Sequence, residues 1–156
     1  MIIRRFCEDD AEKVSEMIIR TLKITNSKDY SEEAINALEK QVQPSHITER
    51  AGWTHFYVVE ENDTIIGCGA IGPYWGSVTE SSLFTIFVLP EYQSKGIGKR
   101  IIESLEQDEY YLRAKRVEVP ASITAVNFYR KFGYDYKNGV DQPDEEQIYR
   151  LEKFRY

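Results

Sequence analysis

The chain has 156 residues, of which 42% are hydrophobic and 29% are charged, so it is long enough to bury one substantial core and too short for two ordinary domains. Its formal net charge of −6 disfavours non-specific contact with nucleic acid or an anionic membrane, and no apolar run reaches the length of a transmembrane helix. Two widely separated cysteines, Cys7 and Cys68, show no metal-ligand spacing, and the first residues lack the features of a secretory signal; we therefore expect a single cytoplasmic domain over residues 1–156, with reduced thiols and no metal site.

The first third of the chain predicts one strand followed by two helices. Residues 2–6 have the pattern of a short strand, and Asp9 with Glu12 forms a variant of the capping box that would open a helix. A second helix is expected to begin after Ser31, whose side chain can accept hydrogen bonds from the first backbone N–H groups. Residues 25–29 between the helices carry turn formers without periodicity, so they are predicted to be a connection.

Strands dominate the chain from residue 55 onward. Residues 55–60 and 64–71 predict an antiparallel hairpin, and the nearly continuous apolar run at residues 83–89 predicts a central strand that is covered on both faces. Two further helices are predicted at residues 97–109 and 122–132. Three further strands are predicted at residues 116–119, 133–136 and 147–154. The resulting order, β-α-α-β-β-β-α-β-α-β-β, indicates an α/β sandwich with a mixed sheet.

A predicted phosphate-binding loop is the strongest functional signal in the sequence. Residues 93–98, Gln-Ser-Lys-Gly-Ile-Gly, lie between the predicted central strand and a helix, where backbone N–H groups turn toward an anion. Gly96 and Gly98 leave the backbone uncovered, and Lys95 and Lys99 add positive charge. A flexible turn would account for the two glycines alone. The Walker A and G-x-G-x-x-G patterns are both missing from the sequence, so the expected ligand is a different diphosphate.

Two sequence blocks resemble motifs of the GNAT superfamily of N-acetyltransferases. Residues 88–98, V-x-P-E-Y-Q-x-K-G-I-G, are similar to its acetyl-CoA loop, and residues 122–134, S-x-x-A-x-x-F-Y-x-K-x-G-Y, resemble its later helix-and-turn motif. The resemblance implies a mixed, mostly antiparallel sheet of six to seven strands flanked by about four helices. It also implies acetyl transfer from acetyl-CoA to a primary amine of a small molecule or peptide, directly within a ternary complex.

The resemblance further implies which residues bind acetyl-CoA. In the family, the strand before the loop separates from its neighbour, and the pantetheine arm of CoA pairs with its backbone. The loop amides hold the pyrophosphate, and an amide near Val88 polarises the thioester carbonyl. Ser122 stands where relatives often carry an asparagine that touches the cofactor. The residues at these positions are Ile86, Phe87, Val88, Gln93, Ser94, Lys95, Gly96, Ile97, Gly98, Lys99 and Ser122.

Tyr129 matches the family's candidate general acid, which protonates the leaving CoA thiolate. A phenol with an ordinary pKa of about 10 keeps its proton at neutral pH and can donate it to a thiolate. The predicted helix at residues 122–132 would place Ser122 and Tyr129 on one face. A packing role is the alternative in a chain with 11 tyrosines.

Glu80 is the candidate general base that would remove a proton from the amine. Its position in the predicted strand has the parity of Ser82, Ile86 and Val88, so these side chains share one face if no bulge intervenes. Relatives often place a carboxylate at the position of Ser82, and Glu118 is a weaker candidate. A solvent-facing side chain at the strand end is the alternative for Glu80.

Several functional questions stay open at the level of sequence. The acceptor is a metabolite amine or a peptide amine, and the negative net charge weakly favours a cationic one. The first helix pair and the aromatic residues Tyr74 and Trp75 are expected to border the acceptor site. Transfer of a longer acyl group is a second possibility, and a non-catalytic CoA-binding sensor or scaffold is an alternative from a different class. Relatives frequently form dimers, so a homodimer is possible.

Overall fold

The computed structural model describes residues 1–155, which contain seven strands and six α-helices. The strands are β1 (Ile2–Arg5), β2 (His55–Glu61), β3 (Thr64–Pro73), β4 (Glu80–Val88), β5 (Arg116–Ser122), β6 (Asp135–Tyr136) and β7 (Ile148–Phe154). The helices are α1 (Ala11–Ile24), α2 (Glu32–Lys40), α3 (Pro44–Ala51), α4 (Ile97–Leu105), α5 (Glu109–Leu112) and α6 (Val126–Arg130). None of these helices is long and apolar enough to cross a bilayer.

The strands form one mixed sheet in the order β1-β2-β3-β4-β5-β7-β6. All neighbours are antiparallel except β4 and β5, which are parallel, so the predicted fold class is confirmed. The parallel pairing is short, since it joins only residues 80–82 of β4 to residues 116–118 of β5. Beyond Ser82, the edge of β4 that faces β5 therefore has no strand partner.

Helices cover both faces of the sheet's middle strands. Every residue of β3 from Ile65 to Gly72 is buried, which requires a cover on each side of the strand. Ile101 and Leu105 of α4 lie against Gly69, and α1 also packs on β3. One hydrophobic cluster joins these helices to the sheet.

The start of α1 differs from the prediction. The chain makes a single 3-10 turn at residues 8–10, and α1 begins at Ala11, so the predicted Asp9–Glu12 capping box is wrong. The Asp10 carboxylate accepts hydrogen bonds from the Arg4 guanidinium at 2.8 and 2.9 Å and from the Cys7 backbone N–H at 2.8 Å. These contacts tie the turn to β1 and move the helix start along the chain. The predicted start of α2 is confirmed, because Ser31 accepts a hydrogen bond from the Ala34 N–H.

Two short helices, α3 and α5, were missing from the predicted order. Both are short, with eight and four residues, so hydrophobic periodicity is weak in them. The last helix, α6, is also shorter than predicted. Ser122 ends β5, where it pairs with Ile148 of β7, so the prediction that Ser122 and Tyr129 share a helix face is wrong.

The hairpin and the central strand are where predicted, with one correction. Asn62 and Asp63 both have positive φ, the conformation that a two-residue turn between twisted strands requires. The apolar run at residues 83–89 lies at the centre of the sheet. However, Phe84–Val88 are only half-buried, so the prediction of full cover is wrong. The open space beside these residues is the cleft described next.

Candidate active site

A cleft of about 670 Å³ opens where β4 and β5 separate. This volume lies within the range of about 300–1,000 Å³ that is usual for small-molecule sites. No aspartate, glutamate or histidine belongs to the part of its lining that the structure describes, whereas Lys99 and Lys131 do. The cleft is therefore apolar with a positive edge, although the whole chain carries a charge of −6.

The predicted phosphate loop forms one wall of the cleft. Ser94 and Gly96 adopt left-handed backbone conformations, with φ of 62° and 81°, directly before α4. A Cβ at Gly96 would have no atom within 4 Å, so this backbone faces open space. Left-handed residues before a helix aim several N–H groups at one point, and glycine adopts this conformation without strain. The loop thus has the shape of an anion site.

Gly98 has a different reason to be glycine. A Cβ at this position would lie 2.9 Å from Cζ of Phe128, so the missing side chain makes room for α6 against the first turn of α4. The sequence pattern alone had suggested that this room serves the phosphate. Gly98 belongs to the first of the two sequence blocks, residues 88–98, and Phe128 belongs to the second, residues 122–134. The two blocks are therefore in direct contact, next to Tyr129.

The side chain of Gln93 braces the loop. Its Nε2 donates to the Val88 carbonyl at 2.9 Å and to Thr25 Oγ1 at 3.1 Å, which ties the loop to β4 and to the end of α1. Lys95 is not part of the cleft lining, and its Nζ lies 5.4 Å from the ring centre of Tyr92, whereas Ile97 is buried in the core. The remaining predicted cofactor residues line the cleft: Ile86, Phe87, Val88, Gln93, Ser94, Gly96, Gly98, Lys99 and Ser122.

A bulge interrupts β4 at Thr85. Cys68 of β3 pairs with Phe87 and Ala70 pairs with Phe84, so one residue of β3 stands opposite two residues of β4. Thr85 has φ of 54°, which is rare for a β-branched residue because of steric strain. Strain of this kind persists where the surrounding structure enforces it, often at functional sites.

The bulge changes which side chains of β4 share a face. Directly opposed residues of antiparallel strands point to the same side, and Ser82 pairs with Gly72 while Val88 pairs with Gly67. Gly72 and Gly67 are an odd number of residues apart, so they point to opposite faces of β3. The prediction that Glu80 shares a face with Val88 is therefore wrong.

Glu80 lies outside the cleft, in a cluster of ion pairs. Its carboxylate accepts hydrogen bonds from Nε and Nη2 of Arg116 at 3.2 and 3.0 Å. Arg116 also contacts Glu118 and Glu152, each at 3.0 Å, and Lys137 lies 2.8 Å from Glu118. Neither Glu80 nor Glu118 belongs to the cleft lining. Neither candidate base therefore lies in the cleft that contains the phosphate loop.

Tyr129 does lie in the cleft. Its side chain projects from α6, is 5% exposed and belongs to the cleft lining. Burial, with a smaller effect of the nearby Cys68 thiol, raises the pKa of Tyr129 well above its ordinary value. Such a phenol holds its proton at neutral pH and can act as a donor but not as a base.

Cys68 supports the bulge and is chemically inert. Its thiol is fully buried and donates a hydrogen bond to the Thr85 carbonyl at 3.2 Å. Burial raises the pKa of Cys68 to about 12, so the thiolate needed for a nucleophile is not formed at neutral pH. The sequence indicated a reduced thiol at this position but gave no sign of its contact with the bulge.

Tyr30 connects opposite sides of the cleft. Its hydroxyl donates to the Gln147 carbonyl and accepts from the Ile123 N–H, both at 2.8 Å. Beside it, the Thr124 hydroxyl donates to Asp29 at 2.9 Å. The segment between α1 and α2 is thus attached to the ends of β5 and β7. The sequence predicted only a loose connection, because these partners are more than 90 residues away.

Replacing Tyr30 with phenylalanine should lower the free energy of unfolding by about 1–3 kcal/mol, because the Ile123 N–H and the Gln147 carbonyl lose the buried hydroxyl that they share. Urea unfolding monitored by fluorescence measures this change. As a control, Tyr136→Phe removes a half-buried hydroxyl outside the cleft and should cost less than about 0.5 kcal/mol. Equal losses in the two variants would show that the Tyr30 hydroxyl does not hold the segment in place.

The comparison with protein families identifies the class of enzyme. The family model of the acetyltransferase (GNAT) domain matches residues 26–146, so the chain belongs to the GNAT family of acetyltransferases. Enzymes of this family transfer an acyl group and use acetyl-CoA as co-substrate, and these properties hold for the chain. The left-handed loop, the unpaired edge of β4 and the lysines at the cleft edge fit the phosphates and extended arm of that molecule.

Individual relatives agree with this assignment. An uncharacterized N-acetyltransferase of Escherichia coli (strain K12), YafP, is 27% identical over 132 residues, which cover 85% of this chain and 79% of that protein. The crystal structure of the PaiA N-acetyltransferase from Thermoplasma acidophilum in complex with coenzyme A has a TM-score of 0.81 at 20% identity, covering 99% and 98% of the two chains. A GCN5-related N-acetyltransferase structure from Rhodopseudomonas palustris has a TM-score of 0.80 at 18% identity, covering 99% and 95%. At these identities the structures establish a shared fold.

Proposed function

We propose that this chain moves the acetyl group from acetyl-CoA to a primary amine of a small molecule or peptide, by direct attack within a ternary complex. One observation carries the proposal. The lining of one cleft includes residues of the phosphate loop, residues of α1 and α2, and Tyr129. Both substrates are therefore proposed to meet in this cleft beside one buried proton donor. The inert Cys68 thiol supports direct transfer over an acetyl-enzyme.

The cofactor residues are proposed to act mainly through their backbone. At Ile86, Phe87 and Val88, the edge of β4 that faces β5 has no strand partner, so the backbone groups on that edge are proposed to pair with the pantetheine arm. Amides of residues 93–99 are proposed to hold the pyrophosphate, with Lys99 adding charge at the cleft edge and Ser122 lining the opposite wall. Residues 1–156 are proposed to work as one domain; the cytoplasmic location and a homodimer stay predictions.

Acetyl transfer is proposed to take place in one step at the thioester carbonyl. The amine nitrogen attacks the thioester carbonyl carbon, the C–N bond forms and the C–S bond breaks. Tyr129 gives its proton to the departing sulfur, and the nitrogen loses one proton to water. Water is proposed as the acceptor because the described cleft lining contains no carboxylate or imidazole. The proton that the nitrogen loses to water is proposed to return to Tyr129, which restores the phenol.

Initial-rate kinetics test the direct mechanism. When acetyl-CoA and the amine are both varied, a ternary complex gives intersecting lines in double-reciprocal plots. Thiol release is the readout, and mass spectrometry of the amine confirms the acetylated product. Parallel lines would instead indicate an acetyl-enzyme intermediate and would contradict direct attack.

Glu80→Gln should change kcat/KM by less than about threefold and leave its pH profile in place, whereas loss of a general base costs roughly 100-fold or more. The reason is that the Glu80 carboxylate is paired with Arg116 outside the cleft. Glu152→Gln is a matched control, because it also removes one carboxylate from Arg116. A large loss confined to Glu80→Gln, together with loss of the acidic limb of the profile, would restore Glu80 as the base.

A further inference from the structure

Arg50, near the end of α3, has no carboxylate in contact with its guanidinium in the part of the chain that the structure describes. Its Nη1 donates to Thr85 Oγ1 at 2.9 Å, and its Nη2 approaches the Gln41 carbonyl at 3.4 Å; both partners are neutral. By contrast, Arg4 and Arg116 each contact at least two carboxylates. Within residues 1–155, no aspartate or glutamate oxygen lies within 4.0 Å of the Arg50 guanidinium.

The surroundings of Arg50 make this charge unusual. The side chain is partly buried, and burial lowers the pKa of Arg50 below its ordinary value. The exposed carboxylate of the neighbouring Glu49 raises this pKa, but by less than burial lowers it. Removing a guanidinium from water without a paired anion is unfavourable, so such a group commonly serves a ligand or a local contact.

Arg50 lies beside the cleft: it is not itself a lining residue, but it bonds one. Thr85, which receives its hydrogen bond, lines the cleft at the bulge, and Gln41 immediately precedes Val42, another lining residue. The guanidinium is therefore held between the end of α2 and the bulge, rather than at the phosphate loop. The same lining offers no carboxylate for a cationic acceptor, so the weak preference expected from net charge finds no support inside the cleft.

We propose that the acceptor is an amine that also carries a carboxylate, such as an α-amino acid, and that Arg50 binds this carboxylate. The proposal rests on the proposed acetyl transfer and names the class of acceptor. An arginine has five N–H donors in a planar fork that matches a carboxylate, and the contacts to Thr85 and Gln41 use only two of them. Thr85 would then orient Arg50 from β4, the same strand that is proposed to bind acetyl-CoA.

Matched pairs of acceptors test this inference with the full-length protein. Thiol release is measured at saturating acetyl-CoA with α-amino acids and with the corresponding carboxamides, which lack the negative charge. The wild-type protein should use the acids with higher kcat/KM. Arg50→Gln should lower kcat/KM for the acids by roughly 10- to 100-fold, mainly through KM, and should change the values for the amides by less than about threefold.

Two further variants separate recognition from folding. Arg50→Lys keeps the charge without the fork and should recover part of the loss. Arg113→Gln removes an exposed arginine from the Tyr110 ring, away from the cleft, and should alter neither class of acceptor. Unchanged affinity for acetyl-CoA in each variant shows that the cleft is intact.

The outcomes distinguish this inference from the proposed acetyl transfer. Equal use of acids and amides by the wild-type protein, or equal losses for both in Arg50→Gln, would overturn the carboxylate site. If no pair reacts, the same compounds are titrated calorimetrically into the protein saturated with CoA. Binding of acids but not amides, lost in Arg50→Gln, would then support the carboxylate site while the proposed transfer fails. No selective binding would overturn the inference.

Discussion

Tyr129→Phe is expected to lower kcat for acetyl transfer by roughly 100- to 1,000-fold, while the Kd for acetyl-CoA changes by less than about threefold. The substitution removes the proposed proton donor and keeps the ring that fills the cleft wall. Without the donor, CoA has to leave as an unprotonated thiolate. Burial raises the pKa of Tyr129 above its ordinary value of about 10. The phenol therefore keeps its proton up to at least this pH, and the wild-type rate should show no decrease caused by its deprotonation below about pH 10. Stopped-flow thiol release and calorimetric titration measure the two quantities.

Tyr134→Phe provides a matched control for Tyr129→Phe. Tyr134 is also buried, its ring centre lies 6.5 Å from that of Tyr129, and its hydroxyl bonds Glu106 rather than facing the cleft. Its loss should leave kcat within about threefold. Equal kcat in Tyr129→Phe and the wild-type protein would remove Tyr129 from the mechanism. Equal losses in both tyrosine variants would point to packing instead of proton donation.

Gly96→Glu should raise the Kd for acetyl-CoA by roughly 30- to 1,000-fold, because two unfavourable effects of about 1–2 kcal/mol each combine. Gly96 has a φ of 81°, which disfavours any residue with a Cβ, and its backbone faces the open space where the pyrophosphate is proposed to bind. The added carboxylate would place a negative charge beside the phosphates. Calorimetric titration with acetyl-CoA measures the loss.

Gly139→Glu separates the local charge from general strain. Gly139 has a φ of 71°, and a Cβ there, as at Gly96, would have no atom within 4 Å, but Gly139 lies outside the cleft. This control adds the same charge and a similar backbone strain, and it should leave the Kd within about threefold. Gly96→Ala should fall between the two, since it adds strain without charge. Tight binding by Gly96→Glu would refute the assignment of the loop to the pyrophosphate.

Local sequence patterns predicted the sheet, the hairpin and the loop because each depends on neighbouring residues. The Asn62–Asp63 turn and the apolar run before Pro90 follow from backbone preferences and alternation. The family motif adds Gly96 and Tyr129, and the structure places both in one cleft. Short elements such as α5 were missed because four residues contain little periodicity.

Features that depend on distant contacts were not predictable in this way. The bulge at Thr85 is braced by Cys68 and Arg50, which lie on different elements, and nothing in the run around Thr85 signals its positive φ. Because of this single extra residue, the Val88 side chain lies on the face of the sheet opposite to that of Glu80, and the predicted shared face is lost. The partner of Glu80, Arg116, is 36 residues away in the sequence.

Net charge was also a poor guide to the site. The acidic side chains lie outside the described cleft lining, several of them in the cluster around Arg116, whereas the lining carries Lys99 and Lys131. The chain therefore has a negative net charge, although the edge of the cleft is positively charged and suits phosphate groups. The fold, and not the total charge, decides which charges surround a given cavity.

The most direct test of the account is to titrate the purified protein with acetyl-CoA by calorimetry and then to measure thiol release from the same sample with a panel of primary amines, including amino acids and peptides. The account predicts saturable binding, thiol release that depends on the amine, and an acetylated amine detected by mass spectrometry. Absence of acetyl-CoA binding, or binding with no amine-dependent release across the panel, would contradict it.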